Sequence, residues 1–496
     1  MKNLREKTIR GGFAKVISQA ANFGLRIGSL MVLGRLLGPR DFGLVGMVTA
    51  VIGVLSLFRD FGLSVATVQR TDVSDEQLST LFWINMLVGG VLCVLSAASA
   101  PLLAVFYHEP RLAVVTVALA TGFLFNAVGV QHGAILQRQM RFTALSIIEI
   151  VSLVISSAIA IGMALMGFGY WALVGMTISA PVVSAAGVWL ATAWVPSKPS
   201  GSVGIGSMIK LGGTITLNGL VVYVAYNLEK VLLGRYWGAS AVGIYGRAYQ
   251  LINIPTDNLN AAAGGVAFAA LSRLQGDPVR LKNYFLKAYS LVLALTVPIT
   301  IIAALFANDL IWVVLGKKWM EAVPIFRLLA PTMLVFAMIN PLWWFHYAVA
   351  LAARSLRIAT VISVLVVLGY LFGLKHGPQG VAFAYSAVLV VWCIPHLAWC
   401  VHGTILSLRD LLLAAGRPLL ASLAGGALAL GAQYFYGPWM PALPRLVLGV
   451  SIVCVVYAGM LLFVMGQKQF FLDIVQVLRK RATADSSVLV SVEATS

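Results

Sequence analysis

Arg26 stands in the run QAANFGLRIGSLMVLGR, nine residues before Arg35 and inside a stretch apolar enough to cross a bilayer. At 1.5 Å per residue this spacing puts it about 13 Å below the helix end, near the middle of roughly 30 Å of hydrocarbon. A guanidinium at that depth costs on the order of 3 kcal/mol by insertion scales, so it needs a water-filled cavity or an anionic partner. Its chemistry is bidentate recognition of phosphate or carboxylate. Ser18, Asn22, Arg26 and Ser29 follow helical spacing and give this segment one polar stripe. A later segment carries Thr216, Gly219, Tyr223, Asn227 and Lys230, with Glu229 beside the lysine. Asn253, Asp257 and Asn260 flank or follow Pro255, which is expected to kink their helix. Arg59 and Asp60 stand near the cytoplasmic end of the second segment, and Arg247 lies within the eighth.

These groups belong to a chain of 496 residues that is 60% hydrophobic and 10% charged, whereas soluble domains are about a quarter charged. Fourteen apolar stretches of about membrane-spanning length can be marked off between residues 14 and 466. They are continuous rather than alternating, and their connectors are short. An all-α polytopic membrane protein is therefore expected, not an outer-membrane barrel. The first stretch is longer than a signal-peptide core and lacks a small-residue cleavage pattern, so it is expected to remain as a span. On the assignment with the N-terminus inside, cytoplasmic ends and loops hold more than twice as many Lys and Arg as external ones, which puts both termini in the cytoplasm. The net charge of +18 then reflects topology and contact with anionic lipids rather than nucleic acid.

VLGRLLGPRDFGLVG at 32–46 returns as LLGRYWGASAVGIYG at 232–246. Leu33, Gly34, Arg35, Gly38, Gly43 and Gly46 recur 200 residues later as Leu233, Gly234, Arg235, Gly238, Gly243 and Gly246. That offset carries the first helix onto the seventh. Each copy thus has six helices, and an even number makes the copies parallel, related by an axis along the membrane normal. The expected organisation is an N-terminal lobe at 1–194, a cytoplasmic linker at 195–210, a C-terminal lobe at 211–402, an extra helix pair at 403–466 and a cytoplasmic tail at 467–496. The repeated motif marks the outer corner where the first helix of each lobe turns into the second. Gly38 and Pro39 stop one helix, Asp41 caps the next, and Arg35 suits the last turn, so a structural role for the motif outweighs a binding one. Cys93, Cys393, Cys400 and Cys454 lack ligand spacing and read as core residues; no metal or cofactor is implied. His346 reads as a satisfied packing histidine.

RLLGPRDFGLVG (35–46), DFGLSVATVQR (60–70), LFWIN (81–85), LQRQMRF (136–142), GFGYWALV (167–174), GRYWGASAVGIYGRAYQL (234–251) and LGKKWMEAVPIFRLLAP (315–331) appear in this order. Together they resemble the polysaccharide-transport family, Wzx-type lipid flippases, of the multidrug/oligosaccharidyl-lipid/polysaccharide exporter superfamily, from about residue 5 to 465. The resemblance implies two six-helix lobes plus a pair around a central cationic cavity that opens to the two sides in turn. It implies a substrate, an oligosaccharide on undecaprenyl pyrophosphate turned to the outer leaflet of a bacterial inner membrane for exopolysaccharide or O-antigen synthesis. Membrane lipids and the polymerase and chain-length machinery are the implied partners. Arg26 is the expected contact of the pyrophosphate, with Lys230, Arg235, Arg247 and Arg35 as further cations. Asn22, Arg59, Asp60, Asn227, Glu229 and Asp257 are the expected polar or coupling groups, and Tyr223, Tyr226, Trp343 and Trp344 the sugar contacts. A membrane potential negative inside favours anion export by about 2.3 kcal/mol per charge per 100 mV. The alternatives are a drug exporter of the same superfamily, which needs an acidic cavity, and a polytopic enzyme of polysaccharide assembly. The longest external connector, Ala307 to Glu321, offers such an enzyme only Asp309 and Glu321.

Overall fold

The computed structural model describes residues 19, 21–59, 64, 67, 73–199, 220, 223–436, 439–469, 471 and 472. Among them all regular structure is helical. The first half holds α1 (residues 21–36), α2 (Pro39–Ser56), α3 (Asp75–Ala98) with its short extension α4 (Ala100–Tyr107), α5 (Arg111–Arg138), α6 (Phe142–Leu165) and α7 (Trp171–Thr192). The second holds α8 (Leu228–Arg273), α9 (Pro278–Leu305), the short α10 (Ala307–Val314), α11 (Ala322–Ala348), α12 (Ala352–Gly373) and α13 (Gly377–Val401). A final pair, α14 (Leu408–Tyr436) and α15 (Ala442–Gly459), packs on α9. Ten candidate spans occur among the described residues, and one of them, Ala353–Val401, runs through both α12 and α13. The expected first, seventh and eighth segments fall on α1 and α8, and Ser18, Thr216 and Gly219 lie outside the described residues.

Each lobe closes on small residues that let helix backbones approach. Gly89 packs against Ala127, and Gly129 against Ala185; Ser29 Oγ donates to Ser157 Oγ at 2.7 Å, tying α1 to α6. In the second lobe α11 is the central helix, enclosed by α8, α9 and α13. Large side chains such as Leu102, Leu190, Phe372 and Val391 point outward, each more than two-thirds exposed. A soluble protein does not present so much apolar surface; here it is the face for lipid.

The duplicated corners meet. The first is built as its residues dictate: Gly38 precedes Pro39, and the Gly38 N–H donates to Asp41 Oδ2 at 2.9 Å, capping α2. The second lies within α8, whose backbone leaves the helix at Gly238 with φ 79° and then resumes, a conformation that favours glycine. Pro255, expected to kink the eighth segment, lies inside α8, whose one residue with non-helical backbone is Gly238. Helices α2 and α8 then cross backbone to backbone. A Cβ on Gly43 would collide with the Ala239 carbonyl, and a Cβ on Gly243 with the Pro39 carbonyl. Residues 39 and 43 thus meet 239 and 243, the contact a two-fold repeat requires.

The arginines of the corners each reach the other lobe. Arg35 Nη2 donates to the Val313 carbonyl at 2.8 Å, at the end of α10. Arg235 Nη1 lies 2.8 Å from His108 Nδ1 just beyond α4, with its guanidinium 5.7 Å from the Phe106 ring. Gly34 is capped by Leu315 and Gly234 by Tyr107, while Trp319 Nε1 donates to the Gly34 carbonyl at 2.7 Å.

The pair α14–α15 is fastened to the second lobe at several heights. Arg445 forms a double hydrogen bond with the buried Asp309 carboxylate. Lys282 Nζ lies 2.6 Å from Asp410 Oδ2, and Tyr457 OH donates to the Ala294 carbonyl at 2.6 Å. The end of the pair carries Tyr434, Phe435, Tyr436 and Trp439, all more than half exposed. Cys393 and Cys400 are buried and Cys93 half-buried as expected of small core residues, but Cys454 is exposed on α15 and belongs to the outward face instead.

Candidate functional site

Beside the glycine contact α1, α2 and α8 enclose a cavity of about 580 Å³. It is lined by Gln19, from α1 by Phe23 and Arg26, from α2 by Phe42 and Thr49, and from α8 by Lys230, Arg247, Gln250, Asn253 and Asp257. Lys230, Asn253 and Asp257 also line a pocket of about 940 Å³ inside the second lobe. Arg26 also lines a pocket of about 590 Å³ inside the first, between α6 and α7. The central cavity thus shares Arg26 with the first-lobe pocket and Lys230 with the second-lobe pocket.

Arg26 is exposed to this space, as its depth on α1 predicts. Lys230 Nζ donates to Asn227 Oδ1 at 2.7 Å and lies 4.0 Å from Glu229 Oε1. Glu229 itself is fully buried behind the lysine and does not line the cavity; neither carboxylate oxygen accepts a hydrogen bond among the described residues. Arg247 lays its guanidinium 4.5 Å from the Phe42 ring and donates to Gln250 Oε1, while its Nε has no hydrogen-bond partner among the described residues. The ring fixes the cation across the gap between lobes without neutralising it. Asp257, exposed, is the acid on the central wall. Three cations to one carboxylate make a wall suited to a multiply charged anion.

Other expected groups lie elsewhere. Arg35 and Arg235 do not line the cavity; both are engaged at the corners above it. Arg59 Nη1 donates to Asn126 Oδ1 at 3.2 Å, at the far end of α2. Asp60 falls outside the described residues. Asn22 is buried on α1 and does not line the cavity, whereas Asn227 lines the second-lobe pocket. Of the aromatic residues, Tyr226 and Trp343 line that pocket; Trp344 is fully buried, and Tyr223 OH is spent on the Thr49 and Ala50 carbonyls of α2. His346 is buried, with Nε2 3.0 Å from the Cys400 carbonyl. Phe42, Gln19 and Gln250 were not singled out by the sequence, since nothing local distinguishes a cavity-lining phenylalanine from a core one. Among the described residues no three His, Cys, Asp or Glu side chains gather as metal ligands.

The sequence model of the polysaccharide biosynthesis protein family matches residues 32–324. The chain is 27% identical to the lipopolysaccharide biosynthesis protein WzxC of Escherichia coli (strain K12) over 348 residues, 68% of this chain and 70% of that protein. Among solved structures it resembles a lipid II flippase MurJ in an inward closed conformation, with TM-score 0.71 and 14% identity over 91% of this chain and 98% of that one. It also resembles an inward-facing multidrug resistance MATE family transporter of the MOP superfamily, with TM-score 0.61 and 14% identity over 77% and 93% of the two chains. The chain belongs to the polysaccharide biosynthesis protein family, and its fold is the one seen in these flippase and transporter structures.

Proposed function

We propose that the protein turns an oligosaccharide carried on undecaprenyl pyrophosphate from the inner to the outer leaflet of a bacterial inner membrane, by alternating access of its two lobes. The observation that carries this reading is the convergence of Arg26, Lys230 and Arg247 on a cavity between the lobes, where Asp257 is the one carboxylate among the described lining residues. A pyrophosphate headgroup does not cross hydrocarbon unaided, and guanidinium groups hold it by charge-assisted hydrogen bonds. Arg26 is the principal contact. Glu229 and Asp257 are placed to take up or release the cations, and hence to couple a proton, as the lobes rearrange. The corner with Arg35 and Arg235 sits on the external side, with both termini in the cytoplasm.

A drug exporter would present an acidic cavity to its cations, and this wall has the opposite charge. For an enzyme acting outside the membrane, Asp309 is already committed to Arg445. A strain lacking the protein tests the reading: a lipid-linked oligosaccharide should accumulate in the inner leaflet. Loss of sugar transfer without that accumulation would point to an enzyme. An imposed potential, negative inside, should speed export from vesicles, whereas dependence on a pH gradient alone would remove the potential as driving force.

A further inference from the structure

We infer that the pocket inside the second lobe is the subsite for the glycan, separate from the cationic junction that holds the pyrophosphate. This inference rests on the proposed function and divides its substrate between two places. The pocket, about 940 Å³, is at the upper end of the roughly 300–1,000 Å³ usual for ligand sites. Its walls are partly aromatic, with Ile339, Leu342, Ile358 and Ile362 beside the rings: Trp343, more than a third exposed, stands edge to face with Tyr347 at 5.8 Å, and Tyr226 and Phe336 lie tilted to each other at 6.5 Å.

Two further lining residues are polar and buried. Ser363 and His396 are more than nine-tenths buried, and Ser363 Oγ and His396 Nδ1 have no hydrogen-bond partner among the described residues. Both residues line the pocket. A buried polar atom left unpaired costs about 1–3 kcal/mol, so these two atoms point to an occupant that supplies donors and acceptors of its own. An isoprenoid tail would leave them unpaired. A sugar ring satisfies both demands, an apolar face for the indole and hydroxyls for the serine and imidazole. Among its described lining residues the carboxylate and ammonium groups are Asp257 and Lys230, which also line the central cavity. The first-lobe pocket is lined by aliphatic and small polar side chains and Arg26 and Glu149, with no aromatic ring among its described residues. The two lobes therefore do different work.

The test uses the full chain in nanodiscs and two probes: undecaprenyl pyrophosphate alone, and the same lipid carrying the oligosaccharide isolated from a strain lacking the protein. Trp343→Ala is expected to weaken the glycosylated probe about tenfold and to leave the bare lipid within twofold; Trp343→Phe is expected to restore most of the loss. Ser363→Ala should act in the same direction with a smaller effect. Arg26→Ala should weaken both probes together. If Trp343→Ala weakens both probes equally, the pocket holds lipid tail and the glycan subsite is overturned; it is likewise overturned if Trp343→Ala weakens neither while Arg26→Ala weakens both. If Arg26→Ala affects neither probe, the proposed function itself fails, whatever Trp343 does.

Discussion

The two copies of the repeat agree where they touch each other and differ where they face the cavity. At the contact, Gly43 and Gly243, Gly34 and Gly234, and Arg35 and Arg235 play matching parts across the lobes. At the cavity the same offset of 200 pairs Arg26 with Tyr226, Leu30 with Lys230, Met47 with Arg247 and Leu57 with Asp257. The scaffold has kept its two-fold, and the site has abandoned it. A symmetrical joint can part about its axis without preferring either lobe, but an asymmetrical ligand, charged at one end and hydroxylated at the other, needs unlike walls.

The sharpest way to break this comparison is at Arg26. Arg26→Ala should reduce export by roughly a hundredfold at normal protein level, about 3 kcal/mol for a bidentate contact to an anion, with Arg26→Lys recovering part. Exchange of the pair as Arg26→Tyr with Tyr226→Arg should fail to restore export, whereas a truly symmetrical site would tolerate it; leaflet-resolved accumulation of the lipid-linked oligosaccharide reads both. The corner should behave in the opposite manner. Gly43→Val and Gly243→Val should each cost about 1–3 kcal/mol by overpacking and do so to the same degree. Their combination should fall short of the sum, because one separation relieves both clashes. Thermal unfolding in detergent gives the size, and loss of a cysteine cross-link between positions 35 and 313 reports the separation. The smallest effect is expected for Arg35→Ala and Arg235→Ala, each about 1 kcal/mol or less for an exposed hydrogen bond, measured by the same unfolding. A large loss of export from Arg235→Ala with unchanged stability would move that residue into the site.

Much of this was legible in the sequence. The glycine spacing predicted the corners and the parallel lobes, and counting from Arg35 predicted that Arg26 faces a cavity, because helical rise and bilayer thickness are fixed. What could not be read is what depends on distant partners. Asp309 and Arg445 are separated by 136 residues, so Asp309 reads as a free external acid until the fold buries it. Arg235 reads as a cavity cation because its partner, His108, belongs to the other lobe. The short helices α4 and α10, which receive the corner arginines, have the composition of the long apolar runs before them and carry no signal of their own. Gly238, the repeat of Gly38, is where the second corner turns, with the positive φ that its place in the motif suits.

The final helix pair has a consequence for how the second lobe sits. It is bolted to the second lobe by Asp309–Arg445 and Lys282–Asp410, and it ends in a cluster of exposed aromatic rings of the kind that settles at a membrane surface. Seated there it would act as a keel for the second lobe, whose helices α9, α10 and α13 are the ones it packs on.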